Sequence, residues 1–237
     1  MPVEPGGCNI SAANSILYGC WKSYGCWKRL QKSAPMPGLL SVGRRYLPRP
    51  LIVGYAEFTI LRLPDRVFMT KRIVPSLISL RPDRLLNVGV HHYTYRMQQT
   101  LVAAGIDVYT ADIDPRETRW GVQHRHRVCN AIEIDHHFPA QYFDVVILNG
   151  MLGYGIDTAG DFDRAIHAIA TVMRPGGVLI LGWDDNMFAD PFGLNTYEDL
   201  FARNSALLGV DRVKHHNGLR DPAGREAFKV YDVLTRR

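Results

Sequence analysis

The side chains best suited to chemistry in this 237-residue chain lie just past short apolar runs. In VYTADIDP, Asp112 closes a run of strand-forming residues and Asp114 follows two positions on. A carboxylate at the end of a second strand accepts both hydroxyls of a ribose, and this one falls about 20 residues after the glycine of LLNVGVHHYTYRM. An acid ahead of Pro115 also caps a helix. Asp112 is assigned to the ribose and Asp114 to the cap. Further groups that can move or hold a proton are His91, Asn149, Tyr154, Asp184 and Asp185, all at the ends of apolar runs. Asp184 either faces a substrate there or caps the chain as it leaves a strand. HRH (124–126) and DHH (135–137) have no metal-ligand spacing and read as surface loops.

The elements that must position these groups follow from periodicity. LLNVGV (85–90) is a short buried strand, and TYRMQQTLVAA (94–104) a helix stopped by Gly105. IDVYTADID is a second strand, and HRVCNAIEI contains a short third. FDVVILNG (143–150) is a nearly continuous apolar fourth strand. DFDRAIHAIATVM (161–173) places Phe162, Ala165, Ile166, Ile169, Val172 and Met173 on one helical face. RPGG turns the chain into a fifth strand, GVLILGW (177–183). A helix is expected near YEDLFARNSALLG, and then two strands, DRVKHHNG and FKVYDVLTRR, pair antiparallel across LRDPAGRE. The fold class is α/β: a doubly wound, mostly parallel, seven-stranded sheet ending in an antiparallel pair. Ligands bind such sheets beyond the C-terminal strand ends where strand order reverses. That rule gathers loops 89–95, 112–116, 149–157 and 184–190.

Residues 1–80 read differently. They are expected to form a basic, aromatic extension ahead of an α/β domain at 81–237. Residues 1–84 hold 13 Lys and Arg against 4 Asp and Glu, while residues 85–237 hold 15 against 19, which places the basic character of a +5 chain at its N-terminal end. Such asymmetry suits an acidic partner, a membrane surface or nucleic acid, or a solvated face docked on the acidic remainder. YGCWK occurs twice, at 18–22 and 24–28, too few copies for a solenoid. Its aromatics and lysines suit peripheral membrane contact or packing on the main domain. LIVGYAEFTILRL (51–63) is a strand or a buried helix; DRVFMTKRIVPSLISL (65–80) is helical, kinked or divided at Pro75. Cys8, Cys20, Cys26 and Cys129 have no metal or redox spacing and read as reduced thiols of a cytoplasmic protein. No secretory signal or membrane-length apolar run stands out. No RNA-recognition motif, zinc module or dense basic stripe marks a nucleic-acid binder.

Several of these segments together resemble the class I S-adenosylmethionine-dependent methyltransferases, over residues 81–237. FPAQYFDVVILNG, the helix DFDRAIHAIATVM, the turn RPGG and the strand GVLILGW are similar to the family's fourth strand, following helix, glycine turn and fifth strand. VYTADIDP resembles its second strand and sets the ribose-binding acid at Asp112, followed by Ile113. The resemblance implies S-adenosyl-L-methionine as cofactor, held by Asn87, Gly89, His91, Asp112, Ile113, Asn130, Ala131 and Asn149, and methyl transfer with Asp184 and His91 as catalytic candidates.

The first glycine motif departs from the family pattern. Asn87 stands at the usual acid, Gly89 keeps the first glycine, and His91 and Tyr93 replace the second and third. Glycines there let backbone lie against the cofactor. Either those rings point away, with a His91 donor binding the cofactor's carboxylate, or His91 and His92 close the pocket. After the third strand, Asn130 stands where the family often has an acid for the adenine amino group, and its carbonyl oxygen accepts the same bond. The implied acceptor is a small molecule, or a sugar- or lipid-linked precursor, with an O or N nucleophile. The alternative is a catalytically inactive, methyltransferase-like binding or partner subunit. The extension then serves as a substrate lid or a homodimer contact.

Overall fold

Apolar runs separated by glycine and proline build one sheet with helices on both faces. A computed structural model describes residues 48–237 except 154, 192–194 and 221–225. Expectations for the repeated YGCWK segment, and for Tyr154 and the tip of the last hairpin, lie outside the described residues. Pro48–Arg237 form one unit, so the helical segments at 49–80 share a unit with the sheet.

LIVGYAEFTILRL is helical: α1 spans Arg49–Thr59 and buries Ile52, Val53 and Ala56 on one side. A second helical run opens as α2 (Pro64–Phe68), widens into a π-helical turn (Met69–Ile73) and continues as α3 (Val74–Leu80). Pro75 cannot donate to the helix, and its ring crowds the carbonyl four residues back; the wide turn ahead of it absorbs both. Met69, Ile73 and Leu77 recur at helical spacing and bury against the sheet.

The sheet comprises β1 (Arg84–Val88), β2 (Asp107–Asp112), β3 (His126–Val128), β4 (Phe143–Asn149), β5 (Met173–Asp184), β6 (Phe201–Arg203), β7 (Arg212–Arg220) and β8 (Glu226–Arg236). Its order is β3-β2-β1-β4-β5-β8-β6, with β7 also on β8. The first five are parallel, and β8 runs antiparallel to β5, β6 and β7. Order reverses between β1 and β4, which sets the switch point where the loops converge. One face carries α4 (Tyr95–Ala103) with α3 over Leu85, Val145, Ile147 and Ile180. The other carries α5 (Ala159–Val172), whose Phe162, Ala165, Ile166, Ile169 and Val172 are buried as the periodicity requires. Thr158 caps α5, its Oγ accepting from the Asp161 amide at 3.0 Å.

One expected element differs. Instead of a helix through 197–209, α6 covers Asn195–Leu200 and the chain then extends as β6, paired to Leu234–Arg236 of β8. The sheet therefore has eight strands, not seven. The outer edge of β8 needs hydrogen-bond partners along its length, and β6 and β7 share that edge in succession. This outweighs the helix preference of the Ala-Leu segment.

A buried carboxylate ties the antiparallel end together. Asp232 is inaccessible to solvent; it accepts from Trp183 Nε1 at 2.8 Å and pairs with Arg212, which also reaches Asp190 at 2.6 Å. Burial raises the Asp232 pKa, and Arg212 and Trp183 oppose that rise. Removing one member of a buried pair leaves an uncompensated charge. Asp232→Ala is therefore expected to lower the unfolding free energy by about 3–5 kcal/mol, read from urea-induced unfolding. A change under about 1 kcal/mol contradicts this role.

Candidate functional site at the sheet switch point

Asp112 ends β2 half-buried, and both its oxygens are engaged by backbone. The Val90 amide donates to Oδ2 at 2.7 Å and the Asp114 amide to Oδ1 at 2.8 Å. One carboxylate thus fastens the turn after β1 to the turn after β2. Each oxygen keeps a second lone pair, the capacity a ribose diol needs. Desolvation raises the Asp112 pKa, and the two amides and His91 act against it. Asp114 takes the capping role, its carboxylate accepting from the Arg116 amide at 2.9 Å at the head of the 3-10 turn Pro115–Trp120.

The rebuilt glycine turn has its own scaffold. Gly89 sits at φ +86°, where only glycine is at ease. A Cβ there would lie 2.9 Å from Met151 Sδ and 3.4 Å from the Asn149 carbonyl, so the loop after β4 presses on this turn. His91 directs Nδ1 to Glu117 at 2.7 Å. The His91 amide donates to Thr94 Oγ at 3.0 Å, and Thr94 Oγ returns a bond to the His91 carbonyl at 2.8 Å. Gln98 Nε2 donates to Thr94 Oγ at 3.1 Å from within α4. His92 is buried beside Trp120, with ring centroids 6.0 Å apart. Side-chain hydrogen bonds therefore hold a turn that glycines hold elsewhere.

The remaining expected residues spread along the same edge. Asn87 is buried in β1, its amide 3.5 Å from the Gly89 carbonyl. Ile113 is exposed beside Asp112. Asn130 caps the 3-10 turn Ala131–His136, its oxygen accepting from the Ile132 amide at 3.3 Å, and Ala131 is buried. Neighbouring Cys129 is buried and its pKa is pushed up to about 11 by desolvation, which leaves it a thiol. Asn149 ends β4 and lies over Gly182, where a Cβ would come within 2.2 Å of its Oδ1. Asp184 ends β5, buried, with Lys229 Nζ 3.1 Å away. Asp185 instead accepts from the Phe228 amide at 2.9 Å. The structure thus gathers Asn87, Gly89, His91, Asp112 and Asn149 at the switch point, with Asp184 two strands along. Sequence reasoning missed Glu117, Thr94, Met151 and Lys229. The spacing of Asp114 and Glu117 around Pro115 is a helix-start pattern that signals Glu117. No pattern signals Lys229, whose role depends on register with Asp184. Among the described residues no cluster of three or more His, Cys, Asp or Glu suits a metal ion, and no helix is long and apolar enough to cross a membrane.

Two measurements test this geometry. Gly89→Ala forces a left-handed alanine against Met151; it is expected to cost about 1–2 kcal/mol in denaturant unfolding, and an unchanged midpoint contradicts the backbone assignment. The raised Asp112 pKa means that the folded state holds its proton more tightly than the unfolded chain. Its contribution to stability is full at low pH and is lost as pH rises through the folded value. The unfolding free energy of the native protein minus that of Asp112→Asn should therefore fall as pH is raised from about 4. A difference that grows with pH rejects the assignment.

Comparison with known proteins follows the same lines. Residues 88–181 match the family model described as a methyltransferase domain. No curated protein matches the chain. Among solved structures, N-methyltransferase NodS from Bradyrhizobium japonicum WM9 superposes with a TM-score of 0.53 at 15% identity, over 73% of this chain and 97% of that one. The same enzyme in complex with S-adenosyl-L-homocysteine gives 0.52 at 15% identity, over 73% and 86%. PH0226 protein from Pyrococcus horikoshii OT3 gives 0.51 at 12% identity, over 78% and 99%. The matched stretch runs from the end of β1 into β5 and so contains the switch point itself; this part of the chain is similar to a methyltransferase domain, and the α/β unit shares the fold of these solved methyltransferase structures.

Proposed function

We propose that this chain binds S-adenosyl-L-methionine at the switch point and transfers its methyl group to a small-molecule acceptor. The observation that carries the reading is Asp112: a half-buried carboxylate at the end of β2, oriented by the Val90 and Asp114 amides, with lone pairs left for a ribose. NodS, which shares the fold, is crystallised with S-adenosyl-L-homocysteine, the product of such a transfer. The residues present fit the cofactor. Asp112 suits the ribose, exposed Ile113 gives the adenine an apolar surface, and Asn130 retains acceptor capacity beyond its capping bond. His91, oriented by Glu117 through Nδ1, stands on the turn that would face the methionine end.

When bound, the cofactor supplies a methyl carbon on a sulfonium, an electrophile that needs no metal or redox partner. The protein's share is alignment and exclusion of water. The loops after β4 and β5 pack together, since a Cβ on Gly153 would lie 2.8 Å from the Met187 Cβ, and this gives the acceptor side a fixed wall. Asp184 stands at that wall as the group that holds or takes an acceptor proton, with Lys229 fixing its carboxylate.

A second reading is favoured by one specific observation. Met151 occupies the ground above Gly89, and His91, His92 and Tyr93 crowd edge to face around the turn. In that reading the chain keeps the fold and serves as a non-catalytic binding or partner subunit. Thermal-shift titration with S-adenosyl-L-homocysteine separates the two. Ligand at about 100 times its dissociation constant stabilises a binder by about 2.7 kcal/mol. Asp112→Ala is expected to abolish the shift. Absence of any shift at millimolar ligand selects the second reading, and an undiminished shift in Asp112→Ala removes the ribose assignment.

A further inference from the structure

Lysine and arginine beside aspartate at the C-terminal edge of a parallel sheet form a second polar cluster, next to the cofactor residues and sharing Asn149 with them. Its floor is the sheet face under α2. Asn149, Gly182 and Tyr231 stand side by side in register across β4, β5 and β8, and Asp184 pairs with Lys229 one step further. His215 of β7 stands opposite Lys229. Its roof is α2, whose Asp65 is buried with an accessibility of 4% and whose Arg66 is largely buried.

The charges are matched one to one. Arg66 Nε meets Asp65 Oδ2 at 3.2 Å, and Lys229 Nζ meets Asp184 Oδ2 at 3.1 Å. Arg66 also covers the Tyr93 ring at 4.4 Å, and Tyr231 donates its hydroxyl to the Asp65 carbonyl at 3.3 Å. Phe68 closes the side, 4.4 Å from the His215 ring and 5.7 Å from Tyr231. The unused capacity is that of acceptors together with one donor, the Arg66 Nε–H, which is also buried without a hydrogen-bond partner among the described residues. Asp65 Oδ1, Asn149 Oδ1 and His215 Nε2 are buried and have no hydrogen-bond partner among the described residues. Burial lowers the His215 pKa, so at neutral pH its ring is uncharged and offers a lone pair. A buried carboxylate oxygen without a donor is costly, so this cluster is built to receive N–H or O–H hydrogens.

Resting on the methyl-transfer reading, we propose that this cluster is the acceptor subsite and that it takes a primary amine in its neutral form. A carboxylate or phosphate suits the Arg66 hydrogen but brings lone pairs against those of Asp65 and Asn149. A hydroxyl supplies one hydrogen, whereas a neutral primary amine supplies two and keeps the lone pair that a nucleophile needs. The amine is also the nucleophile. Its nitrogen lone pair forms the new N–CH3 bond while the carbon–sulfur bond of S-adenosyl-L-methionine breaks, and that pair stays on sulfur as a neutral thioether. The positive charge passes to nitrogen, and one N–H proton then leaves to the Asp184 carboxylate and from there to water.

Benzylamine, benzyl alcohol and benzoate share one ring and differ only in the polar group, so they form the test. Binding is measured on the full chain by saturation-transfer NMR with S-adenosyl-L-homocysteine present. Benzylamine is expected to bind at least about tenfold more tightly than the other two, and Asp65→Asn to weaken it by about tenfold while leaving the S-adenosyl-L-homocysteine thermal shift unchanged. Benzoate or benzyl alcohol binding as well as the amine overturns the proposal. So does undiminished amine affinity in Asp65→Asn, or a chain that binds S-adenosyl-L-homocysteine but none of the three. If Asp65→Asn does not fold, the ranking on the native chain decides alone. Failure of S-adenosyl-L-homocysteine to bind is a separate result that sinks the methyl-transfer reading, and the fragment ranking still reports on the subsite.

Discussion

Both faces of the central sheet are buried under helices, so its parallel strands carry few polar groups away from their ends. That constraint organises the molecule. Leu85, Leu86, Val145, Val146, Ile147, Leu179, Ile180 and Leu181 are inaccessible, and the first polar side chains appear as the strands run out, at Asn87, Asp112, Asn149 and Asp184. Parallel strands put those exits on one edge. The reversal of strand order between β1 and β4 then opens a cleft on that edge. Chemistry there is a consequence of core packing upstream.

Much of this was legible because the packing is periodic. The apolar run at 143–150 and the stripe from Phe162 to Val172 identify a buried strand and its covering helix, and both buried the residues that the pattern selects. Asp112 and Asp114 were assigned to different roles from position alone. The capping role of Asp114 is a local one, met by its own Arg116 amide. What stayed hidden depends on pairing between distant segments. Lys229 lies in FKVYDVLTRR, where alternation shows only that it shares a face with Tyr231; antiparallel register with β5 places it against Asp184. Phe201–Arg203 became a strand because β8 had an edge to satisfy, a demand invisible in the segment itself. Residues 51–63 were ambiguous for a physical reason: β-branched residues suit either state, and tertiary packing of Ile52, Val53 and Ala56 decides.

The turn after β1 shows how one geometry is reached by different chemistry. Three glycines permit close approach by having no Cβ. Here a single glycine carries the positive φ, and hydrogen bonds do the rest: Asp112 to the Val90 amide, Thr94 to both backbone groups of His91, Gln98 to Thr94. Such a turn is more constrained than a glycine-rich one, because each bond fixes a side chain as well as the backbone. It also brings titratable groups to the cleft, where glycines bring none. His91 and Glu117 form a pair at 2.7 Å beside the Asp112 carboxylate.

That pairing bears on which end of a bound ligand the turn can read. A glycine turn offers amides alone. This turn offers amides already committed to Asp112 and Thr94, and an imidazole whose orientation is set by Glu117. Recognition at the β1 edge thereby moves from backbone to side chain. The β5–β8 edge differs: its two cations lie against its two carboxylates, and lone pairs on Asp65 and Asn149 remain beside the Arg66 Nε–H. Under α2, a group that carries N–H hydrogens meets the Asp65 and Asn149 oxygens, where a carboxylate sets lone pair against lone pair.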